Sequence, residues 1–293
     1  MSGARMGAGA RMGSRGGIRM GLVWDRTVDV LQGRSGILAQ LALLFLFVPG
    51  VVNAAISSAA TPGTPLAFVA SLVSLVASVI LIAGVLAITA VASDPAVDAR
   101  QASRVGFARL LPALGAIALI MVAVFVVLIP LTLLFMHAGA TFNPATGRFD
   151  MARASGSALS LAGAIGLLAL ILGLWLTAKI APLFAVIVSE RRGLGAFARS
   201  FRLTRGSTLR LIGVIILYGI IVVVAVMAAT LVAGVIARLL LGPDARGGVQ
   251  FVTGIVSSAV TALLTVVQTV FYARFYVAAR EQDEPVPDAP LEP

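Results

Sequence analysis

Six apolar stretches, at about 36–56, 66–92, 110–136, 158–189, 210–237 and 250–279, restrict this chain more than any other feature. Each is long enough to cross a hydrocarbon core about 30 Å thick, which takes roughly 17–25 helical residues. Such a core offers no water to backbone N–H and C=O groups, so a lone spanning segment must satisfy itself as a helix. Composition leads the same way. Hydrophobic residues make up 59% of the chain and charged residues 12%, against about half and a quarter in soluble domains. The fold expected is therefore an all-α polytopic membrane bundle of six transmembrane helices. Several stretches exceed the minimum, which implies tilt or ends beyond the core. Pro49, Pro130 and Pro182 lie inside them and should each kink or end a helix by removing a backbone donor.

The first stretch also admits another reading. Residues 37–52, with Val52, Asn53 and Ala54 at their end, have the form of a signal-peptide core and cleavage site. A lead of 35 residues and an apolar run that continues past the site favour a retained span.

Arginine distribution sets the expected orientation. The chain has 21 arginines and one lysine, Lys179, and a net charge of +10. With abundant Ala, Gly and Val, this usage resembles that of a GC-rich bacterial genome. Seventeen arginines precede span one, join spans two to three and four to five, or close span six. Four, Arg148, Arg153, Arg238 and Arg246, lie on the other side. Positive charge is retained on the cytoplasmic side, so the expectation is a bacterial inner-membrane protein with both termini inside. The charge belongs beside anionic lipid and not on nucleic acid, for which no soluble module is present.

Short segments at the basic side repeat. Residues 21–34 place Val23, Trp24, Val28 and Leu31 near helical spacing, with Trp24 suited to headgroup level. In 94–109, Asp94 and Pro95 read as an N-cap and first-turn proline. In 190–205, Leu194, Phe197, Ala198 and Phe201 follow i, i+3, i+4, i+7, with arginines on much of the remainder. The chain thus divides into a Gly- and Arg-rich tail at 1–20, expected to be disordered, a membrane domain at 21–280, and an acidic, proline-rich tail at 281–293, expected to be extended. Within the domain, three units each join an interfacial helix to a two-span hairpin.

Catalytic chemistry finds little to work with. All twelve acids lie outside the apolar core of the spans, so no carboxylate pair is expected there for acid–base work. His137 is the single histidine and cysteine is absent, which leaves no Ser-His pair, thiol nucleophile or metal ligand set. No enzyme activity, cofactor or metal is expected. Candidate contacts for lipid or an unidentified protein partner are Lys179, Glu190, Arg191, Arg192, Arg199, Arg202 and Arg205. Lys179 suits an anchoring residue that snorkels to the interface or a polar site within the bundle. Glu190 is placed to pair with Arg199 or Arg202, or to cap the following helix. Gln40, Asn53, Thr177, Tyr218, Thr230 and Gln268 suit interhelical hydrogen bonds, and Gly163, Gly166 and Gly173 suit close helix approach.

The run PLFAVIVSERRGLGAFARSFRLTRGSTLRLIG, from Pro182 to Gly213, resembles the membrane domain that accompanies glycerophosphoryl diester phosphodiesterases, and related stand-alone six-span bacterial proteins. The resemblance is carried by Pro182, Glu190, Gly193, Ala196, Ser200, Leu203, Thr204, Arg205 and Gly206. The closing segment at 269–282 is similar too, except that an aspartate of that pattern falls at Ala273 or Arg274. The resemblance implies a six-helix membrane fold. It carries no phosphodiesterase activity, which belongs to a separate soluble domain. The expected function is lipid or partner binding in membrane organisation. The alternative is a small-molecule or lipid transporter with Lys179, Gln268 and Asn53 along its path.

Overall fold

A computed structural model describes residues 18–61, 63–137, 139–143, 148–150, 155–191, 193–242 and 244–283. The predicted N-terminal tail up to residue 17 and the acidic tail from 284 lie outside them. Helix α1 (Met20–Gly33) leads into α2 (Ser35–Ala42), a π-helical turn (Leu43–Phe47) and α3 (Val48–Ala59). Then come α4 (Pro65–Ser93), α5 (Ala99–Ala108) and α6 (Leu110–His137). A two-stranded antiparallel hairpin follows, β1 (Thr141–Asn143) with β2 (Arg148–Asp150), pairing Phe142 with Phe149. The chain continues through α7 (Gly156–Ile180), α8 (Leu183–Ser189), α9 (Gly195–Leu203), α10 (Thr208–Leu241) and α11 (Arg246–Asp283).

Among the described residues, six helical segments are long and apolar enough to cross a membrane: Ser35–Ala59, Pro65–Ser93, Leu110–His137, Leu159–Ser189, Thr208–Leu241 and Arg246–Asp283. They coincide with the six predicted stretches. Only the small hairpin departs from an all-helical plan, and no apolar periodicity announced it. The prolines act in three ways. Pro49 sits in the first turn of α3, just past the π turn, Pro182 separates α7 from α8, and α6 runs through Pro130.

The spans form a ring in which α3 meets α4, α6 meets α7, α7 meets α10, and α10 meets α11. Helix α11 closes it on α3 and also touches α4. The short helices α1, α5 and α9 lie at one end, which we call the basic end. Each precedes a two-span hairpin, as the repeat predicts.

The core sits toward the basic end. Residues 86–92 of α4 are all buried, as are Leu183, Val186 and Ile187 of α8, and Val270, Phe275 and Tyr276 of α11. Small residues permit this packing. A Cβ on Gly84 would stand 2.4 Å from the Phe45 Cβ, and one on Gly106 would stand 2.5 Å from the Ala83 carbonyl oxygen. Away from the basic end burial falls, most of all on α6. Helix α6 buries only Ala113 and Ala116, both in its first two turns, and residues 121–130 are exposed around the whole helix. Gly163, Gly166 and Gly173 therefore do not serve close approach: nothing lies within 4 Å of a Cβ built on any of them. Periodicity marked α7 as a span but not as a peripheral one.

Ile18 is buried, and its carbonyl accepts a hydrogen bond from the Arg210 guanidinium at 3.1 Å, although it falls within the segment expected as tail. Helix α11 runs through Asp283, three residues past the predicted end of the domain.

Candidate functional site

Helix α9 packs on the protein through a face other than its apolar stripe. Ala196, Arg199, Ser200 and Leu203 are the residues it buries, again at i, i+3, i+4, i+7. Leu194 is 66% exposed, Ala198 is exposed, and Phe197 and Phe201 are half-buried. The buried face is polar, and its partners account for that. The Ser200 hydroxyl donates to the Lys179 carbonyl at 2.6 Å, and the Thr204 hydroxyl to the Ser200 carbonyl at 3.1 Å.

Arg199 is the centre of an ion-pair cluster. Its Nε donates to Glu190 Oε1 at 2.9 Å, and its Nη1 pairs with Asp283 Oδ2. Tyr276 adds a hydroxyl donor to Glu190 Oε1 at 3.3 Å. Burial works against the Arg199 charge, but the hydrogen bonds to Glu190 and Asp283 and their charges outweigh it, so its pKa lies above the ordinary arginine value. Of the two partners predicted for Glu190, the structure selects Arg199. Sequence reasoning missed Tyr276 and Asp283. Their spacing of seven residues on α11 puts both on one helix face, a signal that was present once α11 was continued past residue 280.

A second arginine ties the basic end together. Arg34 Nη1 donates to the carbonyls of Val91 and Asp94 at 2.7 and 3.0 Å, and Nη2 to those of Pro95 and Val97 at 2.7 and 2.8 Å. In a continuing helix the Val91 carbonyl would accept from residue 95, but residue 95 is proline and has no N–H. The Arg34 guanidinium supplies that donor and sets a positive charge at the C-terminal end of α4, where the helix dipole favours it. This fold-back also corrects the predicted cap. Asp94 is not the N-cap of the following helix; its Oδ1 accepts from the Ala96 N–H. Asp98 caps α5, accepting from the Gln101 N–H at 2.7 Å.

The remaining candidates disperse. Lys179 lies in the last turn of α7 beside α9, its amine 5.7 Å from the Trp175 ring centre. Arg191 stands in the α8–α9 turn with φ 54°, and Arg192 lies outside the described residues. Arg202 is 60% exposed and 3.8 Å from Asp283, and Arg205 is exposed. Three of the six residues predicted for interhelical hydrogen bonds turn back on their own helices. Thr177 and Thr230 donate to carbonyls four residues earlier, and Gln268 bonds Tyr272 within α11. Short hydroxyls reach the preceding turn more readily than a neighbouring helix. Tyr218 does cross, donating to the Leu264 carbonyl, and the Asn53 side-chain oxygen is buried without a partner. Asn53, Gln268 and Lys179 lie apart. Ala54 packs on Gly254, fourteen residues and so about 21 Å along α11 from Gln268, and Lys179 faces α9.

What this end offers chemically is charge and apolar surface, held by locked arginines. No curated protein and no solved structure matches the chain, and no comparison links it to the phosphodiesterase-associated membrane domain. A family model does match over residues 26–279, which takes in five of the candidate spans and all but the last four residues of the sixth, and the chain belongs to that family, a domain of unknown function (DUF7847).

Proposed function

We propose that this chain is a multi-pass bacterial inner-membrane protein, with both termini in the cytoplasm, that binds anionic lipid at its basic end and has no catalytic centre of its own. One observation carries the reading. Helix α9 buries Arg199 and Ser200 beside Ala196 and Leu203, while Leu194 and Ala198 are exposed and Phe197 and Phe201 only half-buried. An amphipathic helix whose apolar stripe is left largely uncovered by its own protein suits the acyl boundary of a bilayer. The exposed Arg202 and Arg205 beside it then meet the headgroups, where each basic residue near an anionic surface contributes about 1 kcal/mol. The resemblance of residues 182–213 to the phosphodiesterase-associated membrane domain is a finer assignment. It fits a membrane module without hydrolytic machinery, and the lipid reading does not depend on it. Partner binding in membrane organisation would use the same end.

The reading is tested by reconstituting the full chain in nanodiscs of mixed phosphatidylglycerol and phosphatidylcholine and measuring the lipids it retains. Phosphatidylglycerol should be enriched at low salt, with the enrichment falling as salt rises. Equal retention of the two lipids at low salt would contradict the proposal.

A further inference from the structure

A cavity of about 530 Å³ opens between the end of α4, helix α5, helix α8 and the last turns of α11. That volume lies within the range of small-molecule sites, roughly 300–1,000 Å³. Its lining is amphipathic, with Val105, Val188 and Val277 as well as Arg191 and Arg280. A second lobe of about 240 Å³ shares Val105, Val188 and Arg191 and adds Arg104 and Arg109. Among the described residues, four arginines therefore line the two lobes, against two carboxylates, Asp94 and Glu281. Both carboxylates are engaged. Glu281 pairs with Arg26 at 3.1 Å, and Asp94 accepts the Ala96 N–H. The Arg34 guanidinium stands behind the same wall, bonded to the Asp94 and Val97 carbonyls. Ser93, also in the lining, has its hydroxyl buried without a hydrogen-bond partner.

Backbone strain singles out one of these arginines. Arg191 is the only non-glycine residue with positive φ among the described residues, at 54°. Such a conformation is costly for a long side chain and free for glycine. The strain is held at the residue that lines both lobes.

We propose that this cavity binds one phosphate-bearing anion, and that its occupant is the headgroup of an anionic phospholipid. Arginine forks match phosphate oxygens in geometry as well as charge, and the valines suit the first carbons attached to the headgroup. The inference rests on the membrane reading above and narrows it from general attraction to a single site.

Arg191→Gly tests it, because glycine relieves the backbone while removing the cation. The full chain in mild detergent is titrated with phosphatidylglycerol or phosphatidylcholine, and bound lipid is counted by native mass spectrometry. The variant should melt at the same temperature as the wild type or higher, yet bind the first phosphatidylglycerol about fivefold or more weakly. The double variant Arg104→Gln/Arg109→Gln should weaken it similarly. Arg19→Gln, exposed just before α1 and outside the cavity lining, should leave that first affinity within about twofold. Equal losses for Arg191→Gly and Arg19→Gln would overturn the discrete site and leave general lipid attraction standing. No phosphatidylglycerol preference in the wild type would overturn both readings. Glycerol phosphate is the soluble arm. If it raises the wild-type melting temperature, fails to do so with Arg191→Gly, and phosphatidylglycerol binding is unchanged by that substitution, the lipid assignment is overturned in favour of a soluble phosphate compound.

Discussion

Arg34→Ala should lower the stability of the protein by about 3 kcal/mol. One guanidinium donates to four carbonyls at the turn from α4 to α5, and a hydrogen bond to a charged group contributes roughly 1.5–3 kcal/mol. The contacts to Asp94 and Pro95 are exposed and so count for less than those to Val91 and Val97. The Val91 carbonyl has no substitute donor, because Pro95 occupies the position that would supply one. Arg34→Lys should recover little, since an ammonium is a point donor and cannot span four acceptors as the planar fork does. Thermal unfolding in detergent should shift down by roughly 10 °C for alanine and by a comparable amount for lysine. A shift within about 2 °C would show that the turn does not need the clamp.

Arg199→Met should cost about 2–4 kcal/mol, for a different reason. The arginine side chain is 9% exposed, and its loss takes from the Glu190 carboxylate, 16% exposed, the guanidinium hydrogen-bonded to it. Asp283 is 41% exposed and recovers hydration, which limits the loss. Neutralising Glu190 as well should offset part of it: Glu190→Gln in the Arg199→Met background should be more stable than Arg199→Met alone. If the double variant unfolds at a lower temperature than the single one, the two side chains are not coupled as an ion pair. Asp283→Asn alone should have a small effect, because Arg199 keeps Glu190 and Arg202 lies beside the vacated carboxylate position only at long range.

The spans were legible because a bilayer demands one simple pattern, a long apolar run, and the sequence supplies six. Helix ends beside proline were legible for the same reason, as at Pro182. What escaped was everything decided by neighbours. Arg34 reads in the sequence as one more topogenic arginine, and its role depends on a proline sixty-one residues later. Gly84 and Gly106 look no different from Gly163 or Gly166, yet only the first pair is pressed against another helix. The apolar stripe of α9 was read correctly, but burial against protein does not follow from it. That helix packs through Ala196, Arg199, Ser200 and Leu203 because partners at Glu190, Asp283 and the Lys179 carbonyl satisfy its polar groups. Arg191 shows no sign of positive φ in its residue type, since a glycine would be expected in such a turn and one stands two residues later.

All of these readings assume that the six helices cross a bilayer with the basic end in the cytoplasm. The chain has no cysteine, so single cysteines can be placed without background. Thr61 and Gln282 are both exposed, and they lie at opposite ends of the spans. In spheroplasts, a membrane-impermeant maleimide should label Thr61→Cys directly and Gln282→Cys only after the membrane is permeabilised. Labelling of Gln282→Cys in intact spheroplasts with Thr61→Cys protected would reverse the orientation, and labelling of both would contradict a six-span arrangement.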